Sequence, residues 1–260
     1  MTTSAALPRR LLAEFLGTAM LVTVVVGSGI AAQQLSPNDV GLQLLENSIA
    51  TALGLTVLIL LFGPVSGAHF NPVVSLADSF LGRRTGHGLR AGDLGAYVVA
   101  QVLGAVCGAL LANAMFGVGT AISSTDRMSV GHGIAEVVAS AGLVALVFAL
   151  ARTGRAALAA PVVGAYIGAA YWFTSSTSFA NPAVTVGRVF SDTFAGIAPG
   201  SVPGFVAAQL VGLAIGVALT LALYPDAGQS ADDVVVPHGQ DRPSDPDVTP
   251  ASPAPRNPLP

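Results

Sequence analysis

Two short boxes of similar sequence carry the side chains that point most clearly to a function. They read Asn71-Pro72-Val73, within SGAHFNPVVSLAD, and Asn181-Pro182-Ala183, within TSFANPAVTVGR. Asn is a favoured N-cap residue, and Pro at the first helical position gives up only an N–H group that would lack a partner anyway. Each box therefore predicts the start of a helix.

Both predicted helices lie inside long hydrophobic stretches, yet each is too short to cross a bilayer. The uncharged runs after the boxes are only Val73–Ala77 and Ala183–Gly187. Irregular backbone is not tolerated where it faces lipid, so the two half-helices must line a cavity inside the protein. This arrangement is typical of a channel or a transporter.

The sequence offers no set of residues for an enzyme active site. It has no nucleophile with a base, no metal-ligand cluster and no phosphate-binding loop. The single cysteine, Cys107, excludes a disulfide within the chain and lies among Gly and Ala, which favours helix packing over redox chemistry. We expect a protein that is not an enzyme and that has no cofactor, no metal and no nucleic-acid partner.

The elements that position the boxes are membrane helices. Of the 260 residues, 52% are hydrophobic and 10% are charged, against roughly a quarter charged in soluble domains. Six spans are predicted, each near the roughly 20 residues that a bilayer requires: Leu11–Ala32, Leu44–Phe62, Leu94–Phe116, Ile134–Ala151, Ala157–Thr174 and Val202–Tyr224. The predicted fold is an all-α membrane bundle of six transmembrane helices and two re-entrant half-helices.

The chain also repeats internally. Glu14 in the first predicted helix matches Glu136 in the fourth, and Gln101 in the third matches Gln209 in the sixth. Three spans per repeat is an odd number, so the two halves must have opposite orientations, with a site at their interface. We predict a channel domain over residues 9–224, with inverted repeats at about 9–115 and 131–224.

The arginines orient the protein in a cell membrane. If the six helices alternate in direction, seven arginines fall on one face: Arg9, Arg10, Arg83, Arg84, Arg90, Arg152 and Arg155. The positive-inside rule then places both termini in the cytoplasm. Residues 1–8 are a short cytoplasmic segment before an uncleaved first helix, which fits better than a signal peptide. Residues 225–260 are acidic and Pro-rich and are predicted to be a disordered cytoplasmic tail.

The two boxes, SGAH before the first and Ala-Glu-Phe-Leu-Gly-Thr in the first helix resemble the aquaporin, or major intrinsic protein, family over Arg9 to Tyr224. The resemblance implies a bacterial multi-pass membrane channel that assembles as a homotetramer. It also implies that the half-helices meet N-terminus to N-terminus, so that their dipoles repel cations at the pore centre.

The resemblance assigns roles to individual residues. Asn71 and Asn181 would donate hydrogen bonds to a passing neutral solute at the pore centre. An acceptor ladder would come from the carbonyl groups of Gly67, Ala68, His69, Thr177, Ser178 and Phe179. Glu14 and Glu136 would hold the re-entrant loops, which we favour over a proton relay. His69 would act through its backbone rather than as a metal ligand or a pH switch.

The selectivity filter departs from the family pattern. Val184 stands where most members have Arg, and ungapped spacing from the boxes adds Thr51, Ala169 and Ser178. Leu53 replaces Thr51 if the second helix is shifted. Arg188, one turn after Val184, could reach back to the filter or pair outside it with Asp192, and we favour the second. The predicted filter is wide, with no aromatic group and no charge.

A wide, uncharged filter favours neutral solutes larger than water. The pattern resembles the bacterial aquaglyceroporin branch associated with arsenic resistance, which implies arsenous acid and methylated arsenicals as solutes, with glycerol and urea as further candidates. The alternatives are an ordinary water-selective aquaporin, an anion channel and a non-conducting scaffold.

Overall fold

The computed structural model of the protein describes residues 5–83 and 88–224, and within them the chain is almost entirely helical. Its eight α-helices there are α1 (Leu7–Leu35), α2 (Val40–Ser66), α3 (Pro72–Gly82), α4 (Ala91–Met115), α5 (Val130–Arg152), α6 (Ala159–Phe173), α7 (Pro182–Gly187) and α8 (Val202–Leu223). Residues 1–4 of the predicted N-terminal segment, Arg84 and the predicted tail lie outside the described residues.

Six of these helices are long and apolar enough to cross a membrane, which confirms the predicted number of spans. Several of these helices are longer than the predicted apolar spans, because polar residues form or extend their first turns. Asp39 is the N-cap of α2, and its side chain accepts a hydrogen bond from the Leu42 N–H at 2.9 Å. Pro8 stands in the first turn of α1, where its missing N–H costs nothing. Hydrophobicity alone does not predict that these polar first turns belong to the helices.

The two halves of the chain pack in the same way. Helix α1 packs against α4, and its counterpart α5 packs against α8, while α2 and α6 join the halves. Gly104 and Gly108 let α4 approach α1 so closely that an added Cβ would lie 2.3 Å and 2.1 Å from backbone oxygens of α1. Gly212 and Gly216 do the same for α8 against α5, at 2.6 Å and 2.7 Å. Small residues allow this close packing, which gives the half-helices a rigid surround.

The half-helices α3 and α7 begin at the two boxes, with Asn71 and Asn181 as their N-caps. Helix α3 continues past the predicted uncharged run to Gly82, so it contains Asp78. Helix α7 ends at Gly187 and continues as a 3₁₀ turn over Arg188–Phe190. Val73, which is bulkier than the Ala at the matching position of the second box, is fully buried.

Candidate solute pore

The loop before each half-helix follows an unusual backbone path. In the first loop, Gly67, Ala68 and Phe70 have φ values of +88°, +49° and +50°. In the second, Thr177, Ser178 and Ala180 have values of +62°, +51° and +47°. Residues other than glycine rarely adopt this left-handed region, and such strain persists only where surrounding contacts enforce it. The loops therefore need strong external support.

Glu14 supports the first loop. Its side chain is completely buried and accepts four hydrogen bonds. Its Oε1 atom accepts from Ser66 Oγ at 2.7 Å and from the His69 N–H at 3.0 Å, and Oε2 accepts from the Phe70 N–H at 2.8 Å and Gln101 Nε2 at 2.7 Å. Every contact uses the carboxylate as an acceptor, which suits a support for the loop rather than a proton relay.

Glu136 supports the second loop in the same manner and is also completely buried. Its Oε1 atom accepts from Ser176 Oγ at 2.6 Å and from the Phe179 N–H at 2.9 Å. Its Oε2 atom accepts from the Ala180 N–H at 2.8 Å and from Gln209 Nε2 at 2.6 Å. The two halves thus support their loops with equivalent residues. Of these residues, only Glu and Gln could be matched in the sequence.

Each glutamine links its carboxylate to the following half-helix. Gln101 Nε2 also donates to Ser75 Oγ on α3 at 2.9 Å, and Gln209 Nε2 donates to Thr185 Oγ1 on α7 at 3.0 Å. Ser75 Oγ further contacts His69 Nδ1 at 3.0 Å. Within residues 5–83 and 88–224, no group of three His, Cys, Asp or Glu side chains could hold a metal ion. The contact with Ser75 ties the His69 ring to α3.

The two Asn side chains cap their own helices. Asn71 Oδ1 accepts from the Val73 N–H at 2.9 Å. Asn181 Oδ1 accepts from the N–H groups of Ala183 and Val184, at 3.0 Å and 3.2 Å. These contacts satisfy N–H groups that have no partner within a helix, as expected of an N-cap.

The same two side chains also join the halves, which the sequence did not indicate. Asn71 Nδ2 donates to the Ala180 carbonyl at 2.8 Å, and Asn181 Nδ2 donates to the Phe70 carbonyl at 2.8 Å. The N-termini of α3 and α7 therefore meet, and their positive dipole ends face the same point. An amide group has two N–H donors, so each Asn has a second N–H group that this contact does not use.

One cavity passes the meeting point of the half-helices. Its lining includes most of the predicted pore residues: Thr51, Ala68, His69, Asn71, Ser178, Phe179, Asn181, Val184 and Arg188. Gly67 and Thr177 belong to the same loops but not to the lining, and the use of the loop carbonyls as acceptors stays a prediction. Aliphatic side chains supply much of the wall, among them Leu21 and Val25 from α1 and Leu143 and Val147 from α5. The cavity is thus apolar with a few polar points.

One predicted filter position is wrong. Ala169 lies on the exposed side of α6 and does not border the cavity, where α6 instead presents Tyr171. The Tyr171 hydroxyl lies 3.1 Å from Thr51 Oγ1, within hydrogen-bond distance. Thr51 is 1% exposed and borders the cavity, whereas the alternative Leu53 is 64% exposed. The expected absence of an aromatic group from this region is therefore wrong as well.

The favoured partner of Arg188 is also wrong. Its Nε atom donates to the Ala195 carbonyl at 2.5 Å, and its guanidinium carbon lies 3.5 Å from the centre of the Phe179 ring. The side chain is 3% exposed and borders the cavity. Asp192 instead accepts hydrogen bonds from the N–H and hydroxyl groups of Ser124, at 2.9 Å and 3.1 Å. A charged group therefore lies in the region expected to have none.

Comparison with known proteins settles the family. The family model described as major intrinsic protein matches residues 1–180. The chain belongs to the major intrinsic protein family. It is 50% identical over 197 residues, 75% of this chain and 82% of the relative, to the aquaglyceroporin AqpS of Rhizobium meliloti. It is 39% identical over 123 residues to the glycerol uptake facilitator protein of Pseudomonas aeruginosa, covering 45% of this chain and 40% of that protein.

A solved structure shows the same fold. The X-ray structure of the aquaglyceroporin from Plasmodium falciparum matches with a TM-score of 0.61 and 20% sequence identity, covering 83% of this chain and 94% of that one. At this identity the match supports the fold and not the solutes. It agrees with the six long helices and two half-helices of this member of the major intrinsic protein family.

Tyr171 is the polar cavity residue that sequence reasoning missed in this family member. A signal for it was present, because Val163, Ile167 and Tyr171 recur at a spacing of four along α6 and share one face. Counting back from the second box without gaps crossed the irregular stretch after Phe173, where residue spacing does not report helix rotation.

Proposed function

We propose that the protein is an aquaglyceroporin-type channel that passively conducts small neutral solutes, with glycerol, urea, undissociated arsenous acid and methylated arsenicals as candidates. The lining of the cavity carries this proposal. Aliphatic walls formed by α1, α5 and α6 face a polar line that includes Thr51, Asn71 and Asn181. Such a surface suits small neutral solutes, because their O–H or N–H groups can bind the polar line while the rest of the solute lies against the aliphatic walls.

The barrier to ions supports neutral solutes in particular. Asn71 and Asn181 join the two half-helices at their N-terminal ends. Aligned peptide dipoles put roughly half a positive charge at each such end. A cation passing this point loses water and meets positive potential, whereas a neutral solute can accept the remaining amide N–H group of each Asn. Undissociated arsenous acid is neutral at pH 7 and resembles a polyol in size.

A water-selective channel is a second candidate, and Tyr171 and Arg188 favour it. An aromatic ring and a guanidinium group both border the cavity near Thr51 or Val184, and both take up space that a larger solute would need. The aliphatic Val184, which adds no charge after the second box, favours the wider pore. Flux measurements decide between the two.

The test is light-scattering flux in proteoliposomes, with water, glycerol and arsenous acid measured on one preparation. The proposal predicts that glycerol and arsenous acid cross much faster than in protein-free vesicles. Rapid water flux with both larger solutes excluded would instead support the water-selective candidate. No flux of any solute would contradict a channel function.

Replacing Val184 by Arg tests whether this position borders the constriction. A second guanidinium beside Arg188 should lower glycerol flux at least severalfold and leave water flux within about twofold, because steric exclusion acts on the larger solute. Val184→Leu is the matched control, since it adds volume without charge and should have a smaller effect. Glycerol flux that does not change in Val184→Arg would place residue 184 outside the constriction.

We also propose that the channel domain of residues 9–224 lies in the bacterial cytoplasmic membrane with both termini in the cytoplasm, and that it assembles as a homotetramer. The arginine distribution supports the orientation. Large apolar side chains on the outer faces of the helices, such as Leu53, Val57 and Leu61, suit contact with lipid or with other subunits. Cysteine labelling at the two ends of the chain and crosslinking in membranes test these two points.

A further inference from the structure

We propose that Arg188 is a specificity-determining residue of the channel: from one helical turn beyond Val184, its guanidinium sets the ratio of solute flux to water flux. This inference rests on the proposed function, because it requires that the pore conducts small solutes. Five observations carry it: the helical register, two anchoring contacts, the burial of the side chain, its place in the cavity lining and its free N–H donors.

The helical register brings Arg188 to the same face as Val184. Gly187 and Arg188 keep right-handed helical backbone angles, with φ of −60° and −68°, so the turn continues beyond α7. Residues four apart lie one above the other on a helix, and long side chains lean toward the helix N-terminus. Both residues accordingly border the cavity.

Two contacts fix the position of the guanidinium. Its Nε–H group donates to the Ala195 carbonyl at 2.5 Å, and its central carbon lies over the Phe179 ring, 3.5 Å from the ring centre. The Phe179 ring packs in turn on the Phe205 ring at 5.1 Å, while the Phe179 N–H is bound to Glu136 at 2.9 Å. The guanidinium is therefore held by the same network that holds the second loop.

The rest of the guanidinium remains available to a solute. Among residues 5–83 and 88–224, no carboxylate lies within 4.0 Å of it, and the donors on its two terminal nitrogens have no hydrogen-bond acceptor. Arg188 as a whole is 3% exposed, and a buried guanidinium has a strong need for acceptors. Since the group borders the cavity, the acceptors within reach are water and the oxygen atoms of a passing solute.

Thr51 and Tyr171 provide hydroxyl groups that border the same cavity. Their oxygens lie 3.1 Å apart and can each donate or accept a hydrogen bond. A polyol passing this region can therefore donate hydrogen bonds from its O–H groups to these oxygens and accept hydrogen bonds from Arg188. The width left between these groups limits the size of solute that passes.

Arg127 offers a matched control within the same region. It also lies against the Phe179 ring, at 5.6 Å, and it donates to the carbonyl groups of Gly196 at 2.6 Å and Phe194 at 2.7 Å. Unlike Arg188, it does not border the cavity. If the position of Arg188 in the cavity sets selectivity, a change at Arg127 must leave selectivity unchanged.

The experiment measures the ratio of glycerol to water permeability in proteoliposomes for the full chain and four variants. Arg188→Gln removes the charge and shortens the side chain, so we expect the ratio to rise about fivefold, since the steric gain acts on glycerol more than on water. Arg188→Lys keeps the charge but loses the planar group and should give an intermediate ratio. Arg127→Gln should keep the ratio of the unmodified protein.

The fourth variant moves the guanidinium from position 188 to position 184, one helical turn closer to the second Asn-Pro box. Val184→Arg combined with Arg188→Val returns a guanidinium to the constriction and should bring the ratio back to or below that of the unmodified protein. A merely structural role of Arg188 would not be rescued in this way. Ratios within twofold of each other in Arg188→Gln, Arg188→Lys and the unmodified protein would overturn the inference.

The outcome for the unmodified protein separates the two proposals. If it conducts neither glycerol nor arsenous acid, the proposed function fails before Arg188 is tested. If it conducts them and the Arg188 variants, folded as judged by their melting temperature in detergent, keep the same ratio, only the inference about Arg188 fails. If Arg188→Gln does not fold, the Arg188→Lys and double variants still decide the question.

Discussion

Replacing Glu136 by Gln should destabilise the fold strongly, because the carboxylate supports the second loop through both of its oxygens. Each oxygen accepts two hydrogen bonds, at 2.6–2.9 Å, and the side chain is fully buried. A Gln amide presents one oxygen and one NH₂ group, so two of the four donors lose their acceptor. Hydrogen bonds to charged groups contribute about 1.5–3 kcal/mol each, which predicts a loss of about 3–6 kcal/mol in the free energy of unfolding.

The assay is unfolding of the purified protein in mixed micelles by increasing SDS, followed by far-UV circular dichroism and compared with the unmodified chain. Glu46→Gln is the matched control, since Glu46 accepts a hydrogen bond of 2.8 Å from Ser36 Oγ and lies partly exposed in α2. We expect that control to cost less than about 1 kcal/mol. Glu14→Gln should cost as much as Glu136→Gln, because Glu14 also accepts four hydrogen bonds.

The result that would refute this reasoning is a loss for Glu136→Gln no larger than that for Glu46→Gln. It would mean that the strained loop, with Thr177, Ser178 and Ala180 at positive φ, holds its path without the carboxylate. A large loss for Glu136→Gln with none for Glu14→Gln would refute the equivalence of the two halves.

Two further changes test the packing and the lining of the cavity. Gly104→Ala should cost about 1–3 kcal/mol in the same unfolding assay, because its Cβ would lie 2.3 Å from the Phe15 carbonyl oxygen, whereas Gly95→Ala meets nothing within 4 Å and should be neutral or slightly stabilising. An equal effect of the two would contradict the close contact. Tyr171→Phe removes the hydroxyl bound to Thr51 and should change glycerol flux at least twofold with little effect on stability; unchanged flux would exclude the pair from the conduction path.

The sequence alone determined the elements and their repetition, because these depend on local chemistry. Apolar length predicted six spans, and the N-cap and Pro of each box predicted where α3 and α7 begin. The matched pairs of Glu and Gln predicted that the two halves repeat, and the family resemblance implied that Glu14 and Glu136 hold the loops. A buried carboxylate is too costly to keep without partners, so its presence in a membrane helix is informative by itself.

Only the tertiary structure decided which side chains border the cavity. The turn between Phe173 and Asn181 is irregular, so the rotation of α6 relative to the second box is set by packing against α2 and not by residue count. That rotation places Tyr171 in the cavity and Ala169 outside it. Likewise, Arg188 turns inward because Ala195 and Phe179, which come from two different loops, offer it an acceptor and a ring face. A sequence shows that a charge is present, but only the contacts that surround it determine where it points.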